Sequence, residues 1–260
     1  MRPFDWSGLS LQTENYRVIE TDVFDVPSIN ITSADPVRTD GLMQLYRTLK
    51  ARTINVKGLV LGADQASADA ALDLIKKRFY SRRGKGTLGV GFADHTRYFD
   101  GGIQNFGISR SNVDVSRMAY SFQLQTEKPY AYDSLGAQTF VSSTAITTAY
   151  ATLATMNNGT YLAAPVITIQ FTTVPSGSAA GTFSVKNPDT GETLTFDATV
   201  KNGDTITIDC AAVQVFQNST EIFAQGLFPE WLPEGGLLEY TDTLASRTAS
   251  LSATYMRRWL

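Results

Sequence analysis

The sequence predicts a mainly β fold in two domains, with a single helix in the first. Three observations predict it. Period-2 alternation recurs in strand-length segments along most of the chain, one stretch alone carries a helical stripe, and composition and charge shift together past the middle. From Gly136 to Ser246 there are ten acidic residues and two basic ones, Lys186 and Lys201, so this stretch stands near −8 and the two ends together near +5, although the whole chain is only −3. Residues 136–182 are rich in Thr, Ser, Ala and Gly with hardly a charge, while 76–130 is dense in Lys and Arg. A domain boundary is expected between Tyr130 and Gly136.

In the first domain, Tyr16–Ile19 and Ile29–Thr32 read as strands, and residues 33–40 as an exposed loop. Thr53–Leu61 alternates through Ile54, Val56, Leu59 and Leu61, the pattern of a half-buried strand. Asp64–Tyr80 is the helix. Asp64 or Ser67 can cap it, because a side-chain oxygen there accepts from a free N–H of the first turn. Ala68, Ala71, Leu72, Ile75 and Phe79 form one apolar stripe at spacings of three and four. Lys76, Lys77 and Arg78 occupy the last turn, where the helix dipole favours cations. Strands are expected again at Thr87–Phe92, Arg97–Phe99, Ile103–Ser109 and Ser116–Gln125, with Gly101-Gly102 as a separator. One helix against a mostly antiparallel sheet or small barrel is the economical arrangement.

The second domain reads as a β-sandwich: short strands at Ala164–Phe171, Thr182–Val185, Thr193–Val200, Thr205–Asp209, Val213–Phe216 and Ile222–Phe223, with turns every eight to twelve residues. Asn187–Gly191 and Asn202-Gly203 are turn signals, the latter expected to place both central residues at positive φ. Arg247–Leu260 is basic again and alternates through Ala249, Leu251, Ala253 and Tyr255. Its charge matches the first domain, so it is expected to return there as a closing strand. The domains are then 1–135 with 247–260, and an inserted sandwich at 136–246.

Residue counts narrow the chemistry. Cys210 is the only cysteine and His95 the only histidine, so neither an intrachain disulfide nor a multi-Cys or multi-His metal site can form. Any Ser-His-Asp or Cys-His machinery would have to run through His95, which lies in a turn with no evident partner. Cys210 ends an apolar strand and reads as a small buried hydrophobe. The sequons at Asn30, Asn158 and Asn218 read as turn chemistry. The N-terminus lacks a signal-peptide core and no apolar run reaches the roughly 20 residues that span a bilayer, so folding in a cytoplasm without membrane insertion is expected. The basic run Lys76, Lys77, Arg78, Arg82, Arg83 and Lys85 suits either a channel that DNA crosses or an acidic neighbour. Its simpler reading is a solvated helix end.

Four local patterns, in this order and spacing, carry a resemblance. They are Ile54-Asn55-Val56-Lys57-Gly58 before the helix and a strand pair from Gly89 ending in Arg97-Tyr98-Phe99-Asp100-Gly101. Next comes Phe122-Gln123-Leu124-Gln125 followed by Lys128-Pro129-Tyr130-Ala131-Tyr132. Last is Gly226-Leu227-Phe228-Pro229 with Leu232-Pro233-Glu234-Gly235-Gly236. In these the chain resembles the distal tail proteins of phages with long non-contractile tails.

The resemblance implies a split β-barrel with one helix and an inserted galectin-like sandwich. It also implies a structural role in a six-fold ring at the virion tail tip, made in the host bacterial cytoplasm. The implied partners are further copies of the chain, the tail tube protein, the tape-measure protein, the tip hub and receptor-binding proteins, with DNA only in passage. No cofactor and no enzymatic activity is implied. A carbohydrate-binding adhesion module is the alternative, with Trp231 as a stacking platform in Glu230-Trp231-Leu232-Pro233-Glu234. The structural alternative for Trp231 is packing at a Pro-rich bend. A glycosidase built on Glu230 and Glu234 would need carboxyls about 5–5.5 Å apart in a cleft, and nothing in the sequence places them so.

Overall fold

A computed structural model describes residues 3–34, 43–80, 84–93, 95–110, 114–133 and 140–260. The chain divides into two compact units, Met1–Asp133 with Leu260, and Ser134–Trp259.

The first unit contains β1 (Phe4–Trp6), β2 (Leu9–Ser10), β3 (Tyr16–Thr21), β4 (Ile29–Ala34), β5 (Met43–Leu49) and β6 (Thr53–Leu61). After these come the helix α1 (Gln65–Tyr80), then β7 (Lys85–Gly91), β8 (Thr96–Arg110), β9 (Arg117–Thr126) and β10 (Ala131–Tyr132). The principal sheet runs β2-β1-β7-β8-β9-β6-β3, with β10 on β8. It is an open, mostly antiparallel sheet, in keeping with the split barrel expected, and it does not close on itself. The strands expected on either side of Gly101-Gly102 are one fifteen-residue strand. Gly101 and Gly102 pair with Gly86 and Lys85 on one side and with Thr126 and Gln125 on the other, which carries the backbone straight through. β4 and β5 form a separate two-stranded ribbon. Of the loop expected at 33–40, Ser33 and Ala34 belong to β4, and 35–40 lie outside the described residues.

Helix α1 starts as its sequence indicates. The Ser67 N–H donates to Asp64 Oδ1 at 2.8 Å and the Asp64 N–H to Ser67 Oγ at 3.1 Å, a reciprocal capping box. Its buried residues are Ala68, Ala71, Leu72, Ile75 and Phe79. They lie on the sheet face that presents Val56, Val60, Met118 and Phe122. Phe79 meets Phe122 edge-on with ring centroids 4.9 Å apart, and Trp6 meets Phe79 at 5.8 Å. Burying each such large side chain stabilises the fold by about 1.5–3 kcal/mol. The Tyr16 hydroxyl donates to the Ala71 carbonyl at 2.8 Å, tying helix to sheet edge.

The second unit packs two antiparallel sheets. Its strands are β11 (Phe140–Ile146), β12 (Tyr150–Thr155), β13 (Val166–Thr173), β14 (Ser178–Lys186), β15 (Thr193–Lys201) and β16 (Thr205–Asp209). They continue with β17 (Gln214–Gln217), β18 (Thr220–Ile222), β19 (Ala224–Gly226), β20 (Gly236–Asp242), β21 (Thr248–Tyr255) and β22 (Arg258–Trp259). One sheet is ordered β11-β21-β13-β16-β17-β18 and the other β12-β20-β14-β15-β19. Between them lie Ile167, Ile169, Phe171, Phe183, Val185, Phe196, Ile208, Tyr240 and Leu251, all buried. Alternation along each strand sends these residues inward and Thr, Ser and charged residues outward.

Two expectations change here. Of Arg247–Leu260, only Leu260 groups with the first unit, and the alternating part does not close it: β21 lies inside the six-stranded sheet, between β11 and β13, with Leu251 opposite Thr144 and Ile169. Ala249, Leu251, Ala253 and Tyr255 are the predicted buried face, but they complete the sandwich core. The Asn202-Gly203 turn is present, closed by the Asp204 N–H on the Lys201 carbonyl at 3.1 Å, and Gly203 sits at φ +88°. Asn202 is not at positive φ, and the turn carries the chain from β15 in one sheet to β16 in the other, so it closes no hairpin.

Candidate interaction surfaces

The solvent face of β3, β6, β9 and β8 follows from the alternation that buries their other side. Lys57, Ser121 and Gly107 stand in one cross-strand row, and Asn55, Gln123 and Asn105 in the next. The side chains are small or amide-bearing and bond to one another. Thr53 Oγ1 donates to Gln125 Oε1 at 2.8 Å, and Asn105 Nδ2 to Gln123 Oε1 at 2.5 Å. Asp22 accepts from both the backbone and the side-chain nitrogen of Asn55, at 2.7 and 2.6 Å. Lys57 is neutralised by Glu20 at 2.9 Å. These rows are therefore polar, with the charge of Lys57 neutralised.

Among the described residues, both flanks of this face are open. β3 ends the sheet, and a bulge between Val18 and Glu20 leaves Ile19 without an opposite residue and 66% exposed. Along β8, the β7 side is paired as far as Gly102, and among the described residues no strand continues that pairing toward Arg110. Exposed Ile108 lies on this stretch.

Lys76, Lys77 and Arg78 are at the end of α1, and Lys85 opens β7. Arg82 and Arg83 lie outside the described residues. Lys76 pairs with Asp73 at 3.2 Å and Lys85 with Glu127 at 3.4 Å. Half-exposed ion pairs of this kind contribute about 0–1 kcal/mol, but they divide the basic run into separate local neighbourhoods.

Trp231, expected as a possible stacking platform, offers no face to a sugar. It is 1% exposed and packs edge-on against Tyr255 with centroids 4.8 Å apart. A backbone bridge to Ala163 (2.8 and 2.9 Å) and a bond from Asn157 Nδ2 to its carbonyl (3.1 Å) fix it there. Glu230 is drawn into structure as well. Its N–H donates to Glu192 Oε2 at 2.7 Å, and its carboxylate lies 3.7 Å from Arg258 Nη1. Burial pushes the Glu230 carboxyl above the usual range, Arg258 opposes this and Glu192 adds to it. The Glu230 partners are thus Glu192 and Arg258, not Glu234.

His95 is half-buried. It stacks on Phe92 with centroids 6.0 Å apart and accepts from Arg97 Nε at 3.1 Å, while the Arg97 guanidinium lies over the Phe92 ring at 3.7 Å. The turn histidine that showed no evident partner in the sequence is therefore stacked and hydrogen-bonded. Cys210 is buried, and burial first, then Asp209, Glu192 and Glu230, pushes its thiol upward. Asn218 sits in the β17–β18 turn with its amide bonded to Thr205 and Asp204, at 2.9 and 2.6 Å. Among the described residues no group of three or more His, Cys, Asp or Glu could hold a metal ion, and no helix is long and apolar enough to cross a membrane.

An open helix-backed sheet followed by a β-sandwich defines a two-unit, mainly β chain. Residues 158–259 match the family model of the siphovirus-type tail component, C-terminal domain. Among solved structures, the Dit protein of phage SPP1 is described as a paradigm of the hub adsorption apparatus of phages that infect Gram-positive bacteria. It aligns over 100% of both chains with a TM-score of 0.71 at 15% identity. A chain of the phage P2 baseplate in its activated conformation with Ca aligns over 99% of this chain and 98% of that one, at 9% identity and a TM-score of 0.45. No curated protein matches the chain by sequence. The resemblance to distal tail proteins therefore holds at two levels: tail-component sequence in the second unit, and the Dit fold over the whole chain.

Proposed function

We propose that this chain is a structural ring component of a long-tailed phage tail tip, joining the tail tube to the tip hub around the DNA passage. The observation that carries the reading is the four-stranded face with two unpaired edges. An edge of free N–H and C=O groups is a template for pairing. Two different edges on opposite flanks make a head-to-tail contact, which closes into a ring when the rotation allows. Six copies are proposed from the resemblance to distal tail proteins. The inward surface would then be the neutral ladder of Asn55, Gln123 and Asn105, a wall that neither grips phosphates nor repels them strongly. Lys77 and Arg78, on the helix side, would face away from the channel toward an acidic neighbour. The tape-measure protein would thread the ring, and the sandwich would serve as an adaptor toward receptor-binding proteins.

The adhesion-module reading loses its platform with Trp231 buried, and no other observation favours it. Native mass spectrometry and negative-stain imaging test the ring. The expected result is a closed oligomer, reduced to monomer by Ile19→Asp or Ile108→Asp with an unchanged circular dichroism spectrum. A chain that stays monomeric at high concentration, alone and with tail tube protein, would sink the proposal.

A further inference from the structure

The sandwich has one side where the chain crosses between its sheets, and that side is unlike the rest. Among the described residues, β18 ends one sheet and β19 ends the other, each paired on one flank only. Phe223, the single residue between them, is 78% exposed; Val213 is 63% and Leu227 65% exposed. Scattered exposed apolar residues are ordinary, but Val213 and Phe223 line one depression together. The depression is a groove of about 550 Å³ whose lining includes Val213, Val215, Glu221, Phe223, Ala224 and Phe228. Val213 is also held at φ +60°, a strained conformation for a β-branched residue, and at an exposed position.

Exposed strand edges in stable proteins are usually blunted by lysine, proline or a bulge. Thr220–Gly226 contains none of these; Glu221 is its only charged residue. The surrounding sequence is one-signed. Between Lys201 and Arg247 there is no Lys or Arg, against seven acidic residues. Glu221 accepts from Gln214 Nε2 at 3.4 Å, and Asp209 caps the Ala211 and Ala212 N–H groups in the turn from β16 to β17. Glu221 in the lining, surroundings without a cation, an apolar floor and two strand edges complement one kind of occupant.

We propose that this groove docks an extended segment of another protein in which Lys or Arg alternates with apolar side chains. The segment adds as a strand to the free edge of β18, with its apolar residues on Phe223 and Phe228 and its cations toward Glu221. The inference stands on the sandwich alone and does not require the ring.

The test uses the full chain and fluorescence anisotropy with three labelled peptides of about ten residues: alternating Leu/Lys, alternating Leu/Glu, and alternating Ser/Lys. Only the Leu/Lys peptide is expected to bind. Phe223→Ser and Glu221→Lys should each weaken it by about tenfold or more. Asp197→Lys, an equal change of charge on the outer face of β15, should leave binding within about twofold. Equal loss for Glu221→Lys and Asp197→Lys would reduce the binding to general charge attraction and overturn the proposal. So would preference for the Leu/Glu peptide, or no binding at all. A fall in oligomer mass on Phe223→Ser without peptide binding would identify a second copy as the occupant and also overturn it.

Discussion

The Arg247 guanidinium is ion-paired to the Asp242 carboxylate across the bend between β20 and β21, with side chains only 4% and 0% exposed. Arg247 Nη2 also donates to the Leu244 carbonyl, and Asp242 Oδ1 accepts from the Leu244 N–H at 2.8 Å. The bend is thus closed by charge rather than by a turn sequence. Removing one partner strands the other in a site that water does not reach. Arg247→Met should cost about 3–5 kcal/mol, read as a lower urea midpoint at unchanged slope. Adding Asp242→Asn keeps the acceptor for Leu244 without the charge and should recover most of the loss. A single variant as stable as the wild type would show the pair to be dispensable.

Gly58 sits under the Tyr120 ring. A Cβ built there would lie 2.4 Å from Tyr120 Cζ and 2.4 Å from the Arg17 carbonyl oxygen. Backbone on one side and a buried ring on the other leave nothing free to move. Gly58→Ala is therefore expected to destabilise the first unit by about 1–3 kcal/mol, the usual range for overpacking, although alanine suits a strand no worse than glycine. Thermal unfolding followed by near-ultraviolet circular dichroism of the tyrosines would read it, and an unchanged midpoint would refute the close approach.

The helix and its cap were legible because Asp64, Ser67 and the stripe from Ala68 to Phe79 act locally, within a few residues of chain. Strand existence was legible for the same reason: Thr53–Leu61 and Thr205–Asp209 alternate between core and solvent. Strand partnership was not. Alternation in Ala249, Leu251, Ala253 and Tyr255 specifies a buried face but not the sheet that receives it, and the basic charge of the segment pointed to the wrong unit. Arg247 is basic because Asp242 needs it. Trp231 was equally ambiguous, since an aromatic at a Pro-rich bend serves packing or ligand alike. The open edges of β3 and β8 left no local mark at all, because an unpaired edge is a property of the neighbours a strand lacks.

Glu230 supplies a pH dependence. Burial raises its carboxyl above the ordinary value of 4.5 despite Arg258. The folded chain therefore holds this proton more tightly than the unfolded chain does. The resulting stability is fully present below the ordinary value and lost as pH rises through the raised one. Glu230→Gln removes that loss. Relative to wild type, the variant should gain stability between about pH 4 and pH 7, measured as the difference in urea midpoint. A difference that is flat across this range would mean that Arg258 compensates the burial fully.

The position of β21 makes the most direct claim about the architecture. Its seven pairings with β11 and seven with β13 join the edge strand to the rest of one sheet, and its inward residues complete the core around Trp231. Ending the chain after Ser246 should therefore unmake the sandwich and spare the helix-bearing unit. Calorimetry of the truncated chain should lose the transition assigned to residues 140–255. The ellipticity minimum near 222 nm, which reports α1, should persist. If the helical signal vanished while the β signal of the sandwich remained, the last strand would belong to the first unit after all. The pairing of Leu251 with Ile169 predicts the opposite.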